Sequence, residues 1–293
     1  KKAEAQQLFK EVIDYATAKN KYWMADMDAW NQSWLHENDN KYAIFEIQYI
    51  AEAGQGNPMV TLTVPSNPGT DWCGNNLVTG THVYIERGLQ RHFIAKDEIT
   101  GEYIDKRADG TLNLKETVDE DGNIVTSEGK TFYTKYFESK VKRAKFGMSD
   151  MDATIVDRSY WPQNFQLLRI EDIMLLYAEC VGNTIEGREV VNKIRRRAGL
   201  ADLDINLSEE EFQKAVQDER RYELAEEGVR WFDLVRRNEY VDTIKQMFID
   251  DDDTENGTYK QYANRVNADM YLYPIPQSQI EVRKGLYTQN KGY

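Results

Sequence analysis

Three glutamates at helical spacing, Glu219, Glu223 and Glu226, are the residues of this chain whose arrangement comes nearest to catalytic chemistry. Steps of four and three residues place them on one face of a helix, and a step of one turn separates neighbouring carboxylates by roughly 6 Å along the axis. Paired carboxylates near that separation serve as acid and base in glycoside hydrolysis. The spacing alone therefore leaves a glycosidase open.

The arginines around these glutamates favour a structural role instead. An arginine within a turn lowers the pKa of a carboxyl group, whereas a general acid needs a raised pKa. A buried carboxylate without a partner costs several kcal/mol, so each must find a cation or a donor. We therefore predict an ion-pair network that fixes the register of the helices. Its predicted members are Arg169, Glu219, Arg220, Glu223, Glu226, Arg230, Asp233 and Arg236.

Two helical segments precede the glutamates and must position them. Residues 165–182 are apolar almost all the way round, which predicts a buried central helix, and Gly182 and Asn183 are its expected stop signals. Residues 186–200 carry apolar side chains at helical spacing and end near Gly199. The arginines at 195–197 in this second segment supply further cations for the network.

The third helix carries the glutamates themselves. It opens with a capping box, Ser208 followed three residues later by Glu211. Its apolar stripe continues into the three glutamates, so these acids should face the helix predicted at 165–182. We extend the same face as far as Asp233, with a kink expected beyond Gly228.

Five motifs in the second half of the chain carry a family resemblance. They are LLRIEDIMLLYAE, VVNKIRRRAGL, DERRYELAEEGVRWFDLVR, YPIPQSQI and QNKGY, and they span Leu167 to Tyr293. In this order they resemble the C-terminal half of the SusD/RagB family, outer-membrane lipoproteins of Bacteroidetes that capture glycans or other nutrients for a TonB-dependent transporter. Cys180 and Lys291 depart from the family pattern.

The resemblance implies a mostly α fold in which TPR-like helix pairs support a loop-rich and β-hairpin excursion. It also implies a glycan ligand, a SusC-like transporter as partner, no catalysis and a location at the cell outer membrane. The first residues, KKAEAQQLFKEV, are already helical in pattern and show neither a signal peptide nor a lipid-accepting cysteine. We expect the membrane to be contacted only through a lipid anchor outside this chain.

The composition of the chain indicates which classes of ligand it can bind. The 293 residues carry a net charge of −13, and an acidic surface repels phosphate backbones, so nucleic acid is not an expected partner. Aromatic residues make up 12% of the chain, with 18 tyrosines and six tryptophans. Exposed rings of this kind stack on the apolar faces of sugars.

We divide the chain into three parts. Residues 1–53 contain a helix (3–19), a loop with Trp23, Trp30 and Trp34, and a strand (41–50). Residues 54–145 form the excursion, whose Gly, Pro and Asn punctuation is typical of functional loops. Residues 146–293 form the helical region with an extended tail, which should lie back over the helices.

The excursion holds the residues that we predict to bind a glycan. A tryptophan next to amides has the chemistry for sugars, because the ring stacks while the amides bond the hydroxyls. The candidates are Trp72, Asn75, Asn76, Tyr84 and Arg91. The competing interpretation is a packed tryptophan with asparagines that serve turns.

Acidic residues at 105–128 offer a weaker metal hypothesis. Two stretches match most EF-hand ligand positions, but Arg107 and Thr117 each occupy a ligand position, and no helical pattern leads into either stretch. Asp-Gly at 109–110 and at 121–122 predicts hairpin turns instead. The histidines show no metal-ligand spacing. We expect no cofactor and keep calcium as the less favoured alternative.

These observations predict a non-catalytic, surface-exposed glycan-binding protein. The alternative from another class is a helical TPR-like scaffold whose grooves bind a peptide or protein partner. A glycosidase is third, and it would require Glu219, Glu223 and Glu226 to lie unpaired around an open pocket.

Overall fold

The computed structural model of the chain describes residues 1–36, 41–52, 54–59, 63, 85–112, 116–118, 124–126, 132–138, 143, 147–148, 161–251, 258–283 and 285–293. Within these ranges the fold is mostly α. The helices are α1 (Lys2–Lys19), α2 (Met27–Gln32), α3 (Arg87–Ile94), α4 (Ala108–Thr111), α5 (Ile170–Val181), α6 (Ile185–Arg197), α7 (Glu209–Glu223), α8 (Arg230–Arg236), α9 (Tyr240–Asp250), α10 (Thr258–Ala263) and α11 (Gln277–Val282). None of them is long and apolar enough to cross a membrane.

Four strands make two small antiparallel sheets in the described part of the chain. Strand β1 (Ala43–Ile47) pairs with β4 (Phe165–Arg169), and β2 (Glu116–Val118) pairs with β3 (Ile124–Thr126). The chain divides into two compact units, a first unit of Lys1–Ile85 with Leu89–Gly228 and a second unit of Glu86–Gly88 with Val229–Tyr293.

Helix α5 is the centre of the first unit, as its apolar sequence predicts. It packs against α1, α6 and α7. The core is formed by Ala16 of α1, Ile170, Ile173, Met174, Leu175 and Ala178 of α5, Val191 and Ile194 of α6, and Phe212 and Val216 of α7. A helix that is apolar on all faces needs neighbours all round it, and these three helices supply them.

The start of the central segment differs from the prediction. Residues 165–169 form strand β4 rather than the first turns of a helix, and the helix begins at Ile170. Arg169, the residue before it, has extended backbone angles. The cause is long-range: β4 pairs with β1, with Ala43 opposite Arg169, and a pairing partner overrides local helical preference.

Local signals at the helix ends are confirmed. Helix α5 ends at Gly182, whose φ of 78° is left-handed. At α7 the predicted capping box is present: the Glu211 backbone N–H donates to Ser208 Oγ, and the Ser208 backbone N–H donates to Glu211 Oε2 at 2.8 Å.

Helix α7 ends earlier than the continuous face that the sequence predicts. It stops at Glu223, and Glu226 and Gly228 beyond it have φ values of 70° and 77°. Side-chain cations occupy the Glu223 carbonyl oxygen, since Arg169 Nη2 donates to it at 2.8 Å and Lys135 Nζ at 3.0 Å. These bonds satisfy an acceptor that a continuing helix would give to the backbone.

One of the two predicted hairpin turns is wrong. Asp109 and Gly110 lie in the short helix α4, and Gly110 sits so close to Trp30 and Asn31 that an added Cβ would collide with both. For the second predicted hairpin the pairing of the strands is confirmed, because β2 and β3, which precede and follow the predicted turn, are antiparallel. Its turn, at 121–122, lies outside the described residues.

The loop predicted between the first helix and strand also contains a helix. Asp26 caps α2 by accepting a hydrogen bond from the Ala29 N–H at 2.8 Å. Trp30 and Trp34 project from this region and are fully buried. They pack with Met24 and Tyr136 as a second small core of the first unit.

The second unit ends in the extended tail. Gln289 bonds both the N–H and the carbonyl of Ile275, and Asn290 Nδ2 donates to the Tyr273 carbonyl at 2.6 Å. The tail is therefore held against residues 273–275, although its last residue, Tyr293, stays largely exposed.

Candidate functional site

The predicted loop residues lie almost entirely outside the described part of the chain. Trp72, Asn75, Asn76 and Tyr84 are outside it, and Arg91 is on α3, where it is exposed. These five residues therefore remain predictions.

Of the predicted charges, the described structure places Arg169 and Glu219 in one ion-pair network with Glu223, at the C-terminal end of α7. Glu223 is fully buried. Its Oε1 accepts hydrogen bonds from Arg197 at 2.6 Å, Arg169 at 2.8 Å and the Trp30 indole at 3.2 Å. Its Oε2 accepts from Arg107 at 2.9 Å. One carboxylate thus links four separate segments of the first unit.

Arg107 extends the ion-pair network towards α3 and the middle of α7. Its Nη1 donates to Glu219 Oε1 at 2.7 Å, and its Nη2 donates to Asp105 Oδ2 at 2.6 Å. Asp105 also contacts His92 Nε2 at 2.7 Å. The second oxygen of Glu219 accepts from Arg195 Nη1 at 3.1 Å. Both oxygens of Glu219 are therefore paired with guanidinium groups.

Arg169 and Arg197 complete the network beside α5. Arg169 bonds both oxygens of Glu227, through Nε at 2.7 Å and Nη2 at 2.8 Å, in the bidentate geometry that suits arginine. Glu171 pairs with Arg169 at 2.9 Å and with Arg197 at 2.6 Å. Lys135 Nζ donates to Glu227 Oε1 at 2.8 Å. Buried charges need this degree of mutual pairing to offset their desolvation.

The rings of Trp30 and Trp34 lie against two cations of the network, Lys135 and Arg169. Lys135 Nζ lies 4.9 Å from the ring centroid of Trp34 and 5.4 Å from that of Trp30. The Arg169 guanidinium lies 5.5 Å from the Trp34 ring. A cation over an aromatic face is attracted by the ring and is shielded from water by it. The aromatic segment at 23–34 is thus part of the scaffold.

The electrostatics of the network oppose acid–base catalysis. Burial disfavours the charged form of Glu223, but the charges of Arg197 and Arg169 outweigh it and hold the pKa of this carboxyl well below its ordinary value. At Asp105 burial is likewise outweighed, chiefly by Arg107, and the pKa is lowered. A general acid needs the opposite shift.

The network is also balanced in charge. Its cations are Arg107, Lys135, Arg169, Arg195 and Arg197, and its acids are Asp105, Glu171, Glu219, Glu223 and Glu227. Five positive groups thus face five negative ones. Among the described residues these ion pairs connect α5, α6 and α7.

The other predicted members lie at the edge of the network or in the second unit. Arg220 pairs with Asp172 of α5 at 2.8 Å. Glu226 is half-buried, and its Oε2 accepts from the Lys135 backbone N–H at 2.9 Å. Asp233 and Arg236 pair at 2.9 Å within α8 of the second unit, where Arg230 is half-buried. The helical face that was predicted to run on to Asp233 is interrupted, because α7 ends at Glu223 and α8 begins at Arg230.

Arg107, which pairs with Asp105, Glu219 and Glu223, was predicted only to interrupt an EF-hand pattern. Its acidic partners Glu219 and Glu223 lie 112 and 116 positions away, so no local pattern reveals them. Lys135 and Glu227 were missed for the same reason, since they pair across 92 positions. The available signal in the sequence was the position of Lys135 among aromatic residues, because a lysine in an apolar segment needs an acidic partner if it is buried.

Metal binding finds no support in the described ranges, which contain no group of three or more His, Cys, Asp or Glu able to hold an ion. The carboxylate of Asp105, the first residue of the EF-hand-like spacing, is hydrogen-bonded to Arg107 and His92.

Comparisons with known proteins agree on one family. The sequence model described as the SusD family matches residues 15–293. The curated SusD-like protein P38 of Formosa agariphila is 36% identical over 92 residues, which cover 28% of this chain and 18% of that protein.

Solved structures resemble the chain over almost its whole length. Surface glycan-binding protein A from Bacteroides thetaiotaomicron matches with a TM-score of 0.66 at 19% identity, over 99% of this chain and 60% of that one. The same protein in complex with laminarihexaose matches with a TM-score of 0.65 at 20% identity, over 99% and 60%. The chain thus spans about three fifths of the length of these structures, and the likeness at this identity concerns the fold.

Proposed function

The chain belongs to the SusD family, and from that premise we propose that it is a cell-surface glycan-binding protein. In this proposal it captures an oligosaccharide or polysaccharide and passes it to a SusC-like TonB-dependent transporter, without catalysis and without a cofactor. The observation that carries the proposal is the family match over residues 15–293. A location at the outer membrane through a lipid anchor is part of the same proposal.

The buried ion-pair network supports a binding role. Glu219 and Glu223 are the acids that a glycosidase would have used, and both are saturated by arginines. Rigid helices that hold irregular loops are the usual division between scaffold and binding site. The excursion at 54–145 is therefore the part of the chain to which we assign ligand capture.

The nature of the ligand is proposed from similar proteins and from residue chemistry. Surface glycan-binding protein A, which shares the fold, has been solved with laminarihexaose, a neutral oligosaccharide. Trp72 with Asn75 and Asn76 has the ring and the amides that a neutral sugar requires. We propose that these residues, with Tyr84 and Arg91, contact the glycan.

A glycan array screened with the chain identifies the ligand class. Retention of at least one neutral oligosaccharide is the expected result, and laminarihexaose is the first probe. If the chain binds no glycan on the array but binds members of a peptide library, the alternative function, a helical scaffold for peptide partners, replaces this proposal. Release of shortened sugars during long incubation would reinstate a glycosidase.

A substitution then tests the assigned residues. Trp72→Ala should weaken retention on the immobilised glycan by about tenfold or more, because the stacking surface is removed. Trp72→Phe is the matched control, since it keeps a ring and should keep most of the binding. The thermal midpoint should be the same for all three proteins. Equal retention by Trp72→Ala and the parent chain would remove Trp72 from the site.

A further inference from the structure

The second unit carries a group of aromatic rings that its folding does not bury. Trp231 and Phe232 belong to α8, Tyr240 opens α9, Tyr271 ends a 3-10 turn at Ala268–Tyr271, and Tyr273 and Tyr293 belong to the extended segments. Tyr273 is 77% exposed, Phe232 64% and Tyr293 56%. Large rings grouped together in water mark a binding surface more often than they mark packing.

Ring contacts define the apolar side of this aromatic group. The Trp231 ring centroid lies 6.2 Å from that of Tyr273, with the planes 40° apart, and 5.2 Å from that of Phe232, nearly perpendicular to it. Trp231 is half-buried and supports its two more exposed neighbours. The Tyr273 ring therefore has a supported position and remains open to water.

Tyrosine hydroxyls define the polar side of the same group. The rings of Tyr240 and Tyr271 are 5.6 Å apart, and the Tyr271 hydroxyl donates to Asn238 Oδ1 at 3.1 Å. Burial raises the pKa of the Tyr240 phenol, and the neighbouring tyrosines raise it further. Each phenol can donate and accept a hydrogen bond.

The backbone holds this aromatic group in place before any ligand arrives. Asn238, between α8 and α9, has a left-handed φ of 61°, which asparagine tolerates better than most residues. In the tail, the side-chain amide of Asn290 donates to the Tyr273 carbonyl. The Gln289 amide accepts from the Ile275 N–H and donates to the Ile275 carbonyl. A pre-positioned ring loses little conformational entropy on binding.

The charges around the group favour a neutral ligand. Lys291, in the same tail, is already paired with Asp269 at 2.9 Å. The chain as a whole carries a net charge of −13, which repels uronate and sulfate groups. What the surface presents is a set of ring faces beside hydroxyl and amide groups, and a neutral sugar has a complementary apolar face and ring of hydroxyls.

We infer that Trp231, Tyr240, Tyr271 and Tyr273 form a second glycan-binding surface, selective for a neutral oligosaccharide, in addition to the loop residues around Trp72. This inference rests on the proposed function and adds a site to it. Tyr273 provides the stacking face, and the neighbouring phenols provide the hydrogen bonds.

Binding of the neutral oligosaccharide found on the array, measured by titration calorimetry, tests the surface. Tyr273→Ala should raise the dissociation constant of one of the two binding sites about tenfold and leave the other unchanged, while Tyr273→Phe, which keeps the ring, should change that constant by less than about threefold. Tyr287→Ala is the matched control, because Tyr287 is also in the second unit, is 50% exposed and has no part in the assignment. It should bind like the parent chain. The thermal midpoint of Tyr273→Ala should equal that of the parent.

The outcomes separate this inference from the proposed function. If the parent chain binds and Tyr273→Ala binds equally well, the second surface is not a glycan site and the proposed function stands. The same holds if Tyr273→Ala loses a co-purifying protein and keeps the sugar, which would make the surface a protein interface. If the parent chain binds no glycan, the proposed function fails and this inference fails with it.

Discussion

At the scale of single residues, Glu223 joins four separate segments of the first unit through its side chain. Three arginines and an indole donate to its two carboxylate oxygens, and its backbone carbonyl accepts from one of the same arginines, Arg169, and from Lys135. Removing one partner of a buried ion pair is far more costly than never having buried the pair, because the remaining charges stay desolvated. The role of Glu223 should therefore appear in stability.

Glu223→Gln should lower the free energy of unfolding by about 3–5 kcal/mol at neutral pH, because it strands guanidinium charge inside the first unit. Glu186→Gln, the same change at an exposed position of α6, should have almost no effect. Chemical denaturation followed by circular dichroism measures both. A variant as stable as the parent would mean that the network does not hold the fold.

The pH dependence follows from the lowered pKa of Glu223. A carboxyl whose pKa is lower in the folded state contributes stability above its unfolded pKa, about 4.3 for glutamate, and loses that contribution as the pH falls. The gap in unfolding free energy between the parent and Glu223→Gln should therefore be full at pH 7 and should narrow below about pH 4. A gap that stays constant down to strong acid would contradict the assignment.

At the scale of elements, the turn between α5 and α6 depends on a close approach at Gly187. A Cβ at this position would collide with the Gly182 carbonyl oxygen and lie 3.3 Å from the Phe212 ring. Gly187 also donates its backbone N–H to the Thr184 side chain that caps α6. The same glycine thus sets the distance between two helices and contacts the third.

Gly187→Ala separates helix propensity from packing. Propensity alone predicts a gain of about 0.5–1 kcal/mol in unfolding free energy, whereas the collision predicts a loss of about 1–3 kcal/mol. We expect the loss, measured as a lower denaturation midpoint. Ile185→Ala in the same helix is the control, because Ile185 is 82% exposed and its removal should be nearly neutral. A stabilised Gly187→Ala protein would disprove the close approach.

The helices and strands also differ in how well their features could be predicted from the sequence. The Ser208–Glu211 capping box and the Gly182 stop were predicted, because each depends on residues within three or four positions. The strand at 165–169 was not, because its pairing with β1 joins residues more than a hundred positions apart. Arg107 and Lys135 were missed likewise, since their partners are distant in sequence. The glycan contacts around Trp72 stay predictions.

At the scale of the whole molecule, the chain carries a net charge of −13, and the buried arginines of the described residues are paired with acids inside the first unit. If ligand capture uses ring stacking and neutral hydrogen bonds, salt has little to screen. The ionic strength of the buffer then distinguishes this mode of binding from an ionic one.

The dissociation constant for a neutral glycan should change by less than about twofold between low and high salt. Heparin, a sulfated polyanion, serves as the comparison and should not be retained at any salt concentration. A steep loss of neutral-glycan binding with salt would show that charged groups carry the recognition. Calorimetric titrations at several salt concentrations measure it.

The buried network also has a consequence for how the chain reaches its native state. Trp30 and Glu223, which share a hydrogen bond, are 193 positions apart, and Arg107 meets Glu223 across 116. No short piece of the first unit contains both halves of the set, so any collapsed intermediate that lacks one segment holds an uncompensated ion in its interior. Such an intermediate is disfavoured, and misaligned helices are rejected on energetic grounds before they can settle. We therefore expect the buried charges to disfavour misaligned helices until every segment of the network is in place.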